Sequence, residues 1–407
     1  MHQVRRLEEE PGRRSASMWA SIWEGWQKYL IALTIYSSSR LIVLWAMYIA
    51  ARFVSPAPEA SMNERFLSSL HLSASTSWYR YLLRWDSIWY VTILNEGYNY
   101  NGNVLDPQSV QFYPLYPLTA KALTIFPGID GWLALLVVAN VAAALSVLLL
   151  FKYVRQDYGD EVAFSTIAFL SFFPSSLFLS AGYTESLTLL LILTFFLLLK
   201  REKYVLAAAC AGLASATRPT GLVLLPVIIW ELWRQFDHRR FFSYALLCSV
   251  LATSGLWLYM VYLWSAFDSP LLFIHNRYAG WQSGASMGHV FISALLLKGF
   301  FPLRFGTVID IFFFLLFLTL ILVYRKWLSS SLYLFALGVP MLPYLTQTGG
   351  PLKFAAMTRF ILLAFPVFIV MAKLCKDRLW LVPCITGLFA TLLFTYSALF
   401  AQWYGIN

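Results

Sequence analysis

The sequence predicts an all-α, polytopic integral membrane protein, on three observations. Of its 407 residues, 59% are apolar and 12% charged, against roughly 45–50% and 25% in soluble domains. The apolar residues gather in repeated runs of about 16–25, the length that a hydrocarbon core of roughly 30 Å asks of a helix. Short basic clusters separate the runs, so the net charge of +10 reads as membrane topology. No domain concentrates that charge, which argues against nucleic acid as a partner.

Taken in order, segment 1–28 is expected to be a cytoplasmic tail, with Arg5, Arg6, Arg13 and Arg14 beside Glu8, Glu9 and Glu10. The apolar run after it reaches Phe53 without a small-residue cleavage site, so it reads as a membrane anchor and not a cleaved signal. About nine full transmembrane helices are predicted, over residues 29–53, 132–152, 161–181, 184–199, 241–264, 306–324, 330–346, 359–374 and 379–401. The run from Tyr204 to Trp233 differs, because Arg218-Pro219-Thr220-Gly221 interrupts it. A proline there stops one helix and starts another. Each half would measure roughly 20 Å, too short for the bilayer, so a hairpin of two short helices is predicted.

Charge placement favours the hairpin. With it, and with the N-terminus inside, most of the 30 Lys and Arg residues fall on the inner side, in 1–28, 152–160, 200–203, 234–240, 325–326 and 373–378. A single crossing would turn the last three clusters outward, against the positive-inside rule. The outer side then holds a long first loop, 54–131, expected to contain short helices, a second loop from about Ala266 to Phe305, and a short one at 346–358. Residues 1–407 read as one membrane domain without internal repeats. Cys210, Cys248, Cys375 and Cys384 all fall in or beside apolar runs and are read as packing residues.

The longest break between apolar runs carries Arg84-Trp85-Asp86-Ser87-Ile88-Trp89-Tyr90, then Asn95-Glu96-Gly97-Tyr98, then Phe112-Tyr113-Pro114-Leu115-Tyr116-Pro117. Such a segment lies outside the hydrocarbon or is buried in protein, since lipid cannot satisfy an irregular backbone. Asp86 reads either as a helix cap or as a general base taking a proton from a hydroxyl. In the second reading Trp85, Trp89 and Tyr90 exclude water and offer flat faces to a sugar. Glu96 is a second carboxylate able to bind sugar hydroxyls. The run from Phe112 to Pro117 is expected to be stiff and extended, either an interfacial anchor or a substrate contact.

Further along, Tyr183-Thr184-Glu185-Ser186 sits at the outer turn between two helices, where Glu185 could meet the same site or Thr184 or Ser186 could cap a helix. Arg218, at the tip of a membrane-inserted hairpin, is costly unless paired, and an anion is its natural partner if it does not snorkel to the interface. Arg40, midway along the first helix, raises the same question. His275-Asn276-Arg277-Tyr278-Ala279-Gly280-Trp281-Gln282 suits a sugar or phosphate, or a solvated loop. Met357-Thr358-Arg359-Phe360 places another cation near the same face, or at a helix end. His275 and His289 are not at a metal-ligand spacing; no metal and no bound cofactor are expected.

In this order, Trp85-Asp86-Ser87 with Gly97-Tyr98, Phe112 to Pro117, Tyr183-Thr184-Glu185-Ser186, Ala216-Thr217-Arg218-Pro219-Thr220-Gly221 and Met357-Thr358-Arg359-Phe360 resemble GPI mannosyltransferase II, the PIG-V type, of the GT-C superfamily. The resemblance spans about 85–366. It implies an inverting glycosyltransferase, above all a mannosyltransferase. A polyprenyl- or dolichyl-phosphate sugar would be the donor, and an extracytoplasmic glycan or glycolipid the acceptor. Asp86 takes the catalytic base position; Arg218 and Glu185 line the donor site. Arg359 and Arg277 are expected to help Arg218 hold the phosphate, and Trp85, Trp89, Glu96 and Tyr183 to contact substrate. Arg218-Pro219-Thr220 stands where Arg-Ser-Asn is expected in eukaryotic members, which points to a bacterial homologue acting on a different glycan. Its place would be the cell membrane, or the endoplasmic reticulum membrane in a eukaryote. Two rivals are a transporter or flippase of lipid-linked glycans and a non-catalytic subunit. The first predicts symmetric repeats and paired broken helices, and the sequence has one interrupted pair.

Overall fold

The apolar runs fold as helices, and among the described residues four of those helices are long and apolar enough to cross a membrane. The computed structural model describes residues 10–58, 60, 61, 78–278, 305–347, 354 and 356–405. Its helices are α1 (Glu10–Phe53), α2 (Asp86–Glu96), α3 (Leu115–Leu123), α4 (Gly131–Tyr158), α5 (Asp160–Phe172), α6 (Glu185–Leu199), α7 (Tyr204–Ser215) and α8 (Leu224–Gln235). They continue with α9 (His238–Phe267), α10 (Leu272–Asn276), α11 (Phe305–Val323), α12 (Ser330–Thr346), α13 (Met357–Ile361), α14 (Phe365–Cys375) and α15 (Leu381–Ala401). No strand occurs among the described residues. The chain is an all-α, polytopic membrane protein. The part of the second loop beyond Tyr278, including Trp281, Gln282 and His289, lies outside the described residues.

Basic clusters gather at one end of the bundle. Lys28 on α1 and Arg155 on α4 both reach Asp160, at 2.8 and 2.6 Å, and Lys200 pairs with Asp157 at 2.6 Å. Lys373 lies 4.8 Å over the Trp327 ring at the same end. The hairpin is present: α7 and α8 flank a tight turn at Pro219–Val223, and Tyr204 meets Phe236 across its open end at 5.6 Å. Helix α9 lies against α7 at backbone distance; a Cβ on Gly255 would fall 2.2 Å from the Gly212 carbonyl.

Two runs expected as single helices are broken. The run 161–181 is helical only to Phe172, then turns through Pro174–Leu179. Pro174 forces the preceding residue out of the helical region, and Phe173 sits at ψ 140°. The run 359–374 divides into α13 and α14, with Pro366 in the first turn of α14. The stretch from Phe112, itself extended, turns helical before its end, since α3 begins at Leu115 with Pro114 as its cap. Cys248 and Cys375 are buried, but Cys384 is exposed on α15.

These breaks shape the molecule. Starting from the basic end, α6 covers about 22 Å, α5 about 20 Å, α7 and α8 about 18 Å each and α14 about 16 Å, all short of the ~30 Å hydrocarbon core. Each therefore stops within the membrane's depth, and the irregular backbone of 173–184, 216–223 and 362–364 continues beyond it. Such backbone is tolerated at that depth only where protein or a polar cavity surrounds it. The first of these stretches reaches the segment of Asp86 through the Tyr183 hydroxyl, and the second brings Arg218 to Glu185.

The apolar packing has one large centre and smaller ones around the first loop. Phe173, Phe313, Phe317, Phe368 and Phe389 form the large centre's aromatic heart. Trp89, Tyr90, Phe112 and Tyr116 pack α2 and α3 against α4, where the Tyr116 hydroxyl donates to the Leu135 carbonyl at 2.8 Å.

Candidate active site

Asp86 is the first residue of α2, and the residue before it is held in an unusual conformation. Trp85 has φ 52° and ψ −115°, a region that costs a bulky residue about 1–3 kcal/mol unless its surroundings enforce it. Those surroundings are visible. The Tyr183 hydroxyl accepts from the Asp86 amide at 3.3 Å and donates to the Arg84 carbonyl at 3.1 Å. Trp85 packs edge-on against Trp403 at 5.6 Å. Arg84 lies 4.6 Å over the same Trp403 ring and donates from Nε to the Ala401 carbonyl at 3.1 Å. The turn after α15 thus braces the segment that presents Asp86. Trp85, not Asp86, stands at the N-cap position of α2 and makes no side-chain cap bond.

From Asp86 a chain of alternating charges runs inward. Arg359 on α13 donates from a terminal nitrogen to Asp86 Oδ2 at 2.7 Å and from Nε to Glu185 Oε1. Arg218, at the hairpin turn, donates to that same Glu185 oxygen. Side-chain exposure is 22% for Asp86, 13% for Arg359, 0% for Glu185 and 7% for Arg218, so Glu185 is the most buried member. Isolated, each charge would be prohibitively costly at this depth; alternation makes the burial tolerable. The guanidinium of Arg359 also lies 4.4 Å over the Tyr183 ring and 5.0 Å over Phe178, and Arg218 lies 5.2 Å over Phe360. Burial, and then the negative charge of Asp86 one turn before it, pushes the Tyr90 phenol above its ordinary range, so it stays a neutral hydroxyl.

Glu185 owes its place to the break after α5. It begins α6 directly after the turn Ala181-Gly182-Tyr183-Thr184, and neither expected cap operates: Thr184 makes no side-chain cap bond, while the Ser186 hydroxyl donates to the Leu179 carbonyl at 2.8 Å. Its Oε2 is buried without a hydrogen-bond partner among the described residues. Hydroxyls of Thr188 and Thr217, 3.0 Å apart, join α6 to the hairpin. The Leu115 amide bonds the Ala216 carbonyl at 2.9 Å, joining the hairpin to the first loop.

Of the sequence-predicted residues, Asp86, Tyr183, Glu185, Arg218 and Arg359 come together, with Trp85 beside them. Trp89 does not offer a free face: it is buried and stacked on Phe112 at 5.9 Å and 17°. Glu96 closes α2 and is exposed, ten residues or about 15 Å along the helix from Asp86. Arg277 follows α10, where its charge acts on Tyr113; no hydrogen bond or ion pair links it to Asp86 or Glu185 among the described residues. Among the described residues Arg40 has no acidic partner. Its guanidinium donates to the carbonyls of Ser176 at 2.6 Å and Ser171 at 2.8 Å, and to the hydroxyl of Ser176 at 2.8 Å, securing the broken end of α5.

Asp310 was missed by the sequence reading. It is buried on α11 and accepts from the amide of Thr358 at 2.7 Å and from the hydroxyl of the same residue. The available signal was a single acid in the long apolar run from Phe305 to Val323.

The model of Glycosyltransferase family 87 matches residues 113–346, a window holding Glu185 and Arg218 but not Asp86 or Arg359. The chain is also similar to two fungal proteins called GPI mannosyltransferase 2. It is 30% identical over 151 residues to that of Cryptococcus neoformans var. neoformans serotype D, covering 34% of each chain. It is 24% identical over 214 residues to that of Yarrowia lipolytica, covering 52% of this chain and 54% of the relative. The chain spans between about a third and about half the length of these curated relatives.

Proposed function

Since the chain belongs to Glycosyltransferase family 87, we propose that it is a mannosyltransferase using a polyprenyl- or dolichyl-phosphate sugar to extend a glycolipid acceptor. The observation that supports this best is the charge chain Asp86–Arg359–Glu185–Arg218. It sets a carboxylate with one oxygen uncommitted beside two guanidiniums, at a depth where lipid-borne phosphate can travel. The acceptor oxygen forms its bond to the anomeric carbon as the bond from that carbon to the donor phosphate breaks. Its proton passes to Asp86, and the leaving phosphate keeps the bonding pair. Arg218 and Arg359 meet the charge developing on that phosphate, which is worth most in a water-poor site. Attack opposite the leaving group inverts the anomeric configuration.

The test supplies purified protein with labelled polyprenyl-phosphate-mannose or GDP-mannose, each with a crude lipid acceptor pool. Transfer is expected from the lipid phosphate alone; transfer from GDP-mannose without lipid-linked sugar refutes the donor assignment. Asp86→Asn is expected to preserve yield and cut the rate by about 10²–10⁴, the usual loss for a general base. Near-normal turnover of that variant removes Asp86 from catalysis.

A further inference from the structure

Arg359 reaches two carboxylates on different elements, so its backbone must be placed accurately, yet α13 is only five residues long. A helix this short cannot hold itself, and its first amide groups lack partners within the helix. The Met357 and Arg359 amides bond the carbonyls of Phe354 and Ala356 just before the helix, while the Thr358 amide takes its partner from another helix. Asp310 Oδ1 takes both the amide and the hydroxyl of Thr358, the residue before Arg359. The Ser175 hydroxyl donates to the Thr358 carbonyl at 2.8 Å. Ser175 lies in the turn that Arg40 secures through Ser176. Ala356, two residues before Thr358, is left-handed at φ 57°, and its carbonyl accepts from the Arg359 amide at 3.0 Å.

We propose that Asp310 is a positioning residue that acts through Thr358 to aim Arg359 at Asp86 and Glu185. The proposal rests on the reading of Arg359 as part of the transfer site. Asp310 itself makes no ion pair with the charged groups there among the described residues: its hydrogen bonds run to Thr358 and to the backbone of Ala356. An acid buried in an apolar helix is costly, and the packing need it meets, the amides of Thr358 and Ala356 and one hydroxyl, does not require a charge. A carboxylate oxygen accepts both Thr358 donors at once and more strongly than a neutral oxygen would. The result is a backbone held at both the amide and the carbonyl of Thr358, one residue from the guanidinium.

A double-mutant cycle separates this role from simple stabilisation, because residues acting through one another are not additive. Asp310→Asn keeps one acceptor oxygen, and the loosened Arg359 is expected to lower kcat about 10- to 100-fold, with donor KM changed much less. In an Arg359→Lys background the same change is expected to have little further effect. An equal fold-loss in both backgrounds overturns the positioning role, while Arg359→Lys at full activity instead overturns the transfer-site assignment of Arg359. Should Asp310→Asn not fold, Thr358→Val removes only the hydroxyl contact and Thr358→Ser keeps it. Serine is expected to retain activity and valine to lose it; equal activity overturns the proposal. Nitrogen-15 labelling of arginine gives a readout independent of donor and acceptor. The Arg359 Nε–H signal, identified by its loss in Arg359→Lys, is expected to be slow to exchange in the native protein and fast in Asp310→Asn or Thr358→Val. Unchanged exchange in those variants also overturns the proposal.

Discussion

Replacing Gly182 by alanine tests whether the approach of the α5–α6 connection sets the position of Asp86. The Gly182 amide donates to the Leu82 carbonyl at 3.1 Å, drawing the two segments together. A Cβ at this position would fall 2.7 Å from Leu83 Cδ2, 3.1 Å from Ser87 Oγ and 3.4 Å from Ser87 Cβ. Carbon atoms rest at about 3.5–4.0 Å, so the Leu83 methyl must retreat by about 1 Å and the Ser87 side chain by a few tenths. Both residues are buried, Leu83 at 4% and Ser87 at 0% exposure, and they bracket Asp86. Leu83 can answer partly by rotating, but Ser87 belongs to the first turn of α2 and moves that turn with it. Overpacking of this size costs about 1–3 kcal/mol of stability, and a displacement of about 1 Å at a reacting group can cost 10²-fold in rate. The assay is the initial rate of sugar transfer alongside the thermal midpoint in detergent. Gly387→Ala is the control, because its added Cβ meets nothing within 4 Å; as a helix-interior change it should gain about 0.5–1 kcal/mol. A Gly182→Ala protein with native rate and midpoint refutes the idea that this contact places Asp86.

Three further outcomes are expected. Arg218→Lys should lower the rate about 10- to 100-fold, since a charged hydrogen bond is worth about 1.5–3 kcal/mol and lysine lacks the planar fork; a loss under twofold, measured with the lipid-phosphate donor, contradicts the phosphate role. Arg40→Met should lower the thermal midpoint by leaving the Ser171 and Ser176 carbonyls without that donor, at about 1–3 kcal/mol for each buried group; an unchanged midpoint shows that the break after α5 is held by other contacts. Ala356→Gly should raise stability by about 1–2 kcal/mol by relieving a left-handed alanine, and a lower midpoint in thermal unfolding contradicts that strain.

Much of this protein was determined by the sequence alone. Apolar run length reports a transfer free energy that each segment carries by itself, so the all-α membrane fold followed from it. The hairpin followed from one proline and the spacing of basic clusters. Arg218 followed from the cost of placing charge in lipid, and Asp86, Glu185 and Arg359 from their places at loop and helix ends and the resemblance of their motifs, all of which are local. Which charge meets which was decided only by tertiary packing. Arg218 and Glu185 are 33 residues apart, Arg359 and Glu185 174, and Arg359 and Asp86 273; nothing in a residue's own neighbourhood selects a partner at such separations. The same holds where expectation and structure part. Trp89 and Glu96 share a helix with Asp86, but the turn of that helix buries one against Phe112 and its length carries the other about 15 Å away. Arg40 looked from its sequence like a cation in want of an anion, and only the break at Pro174 brings it carbonyls instead. Asp310 is one acid in an apolar run until the fold sets Thr358 against it. Local chemistry fixes what a residue costs to bury, and the tertiary structure decides which distant group offsets that cost.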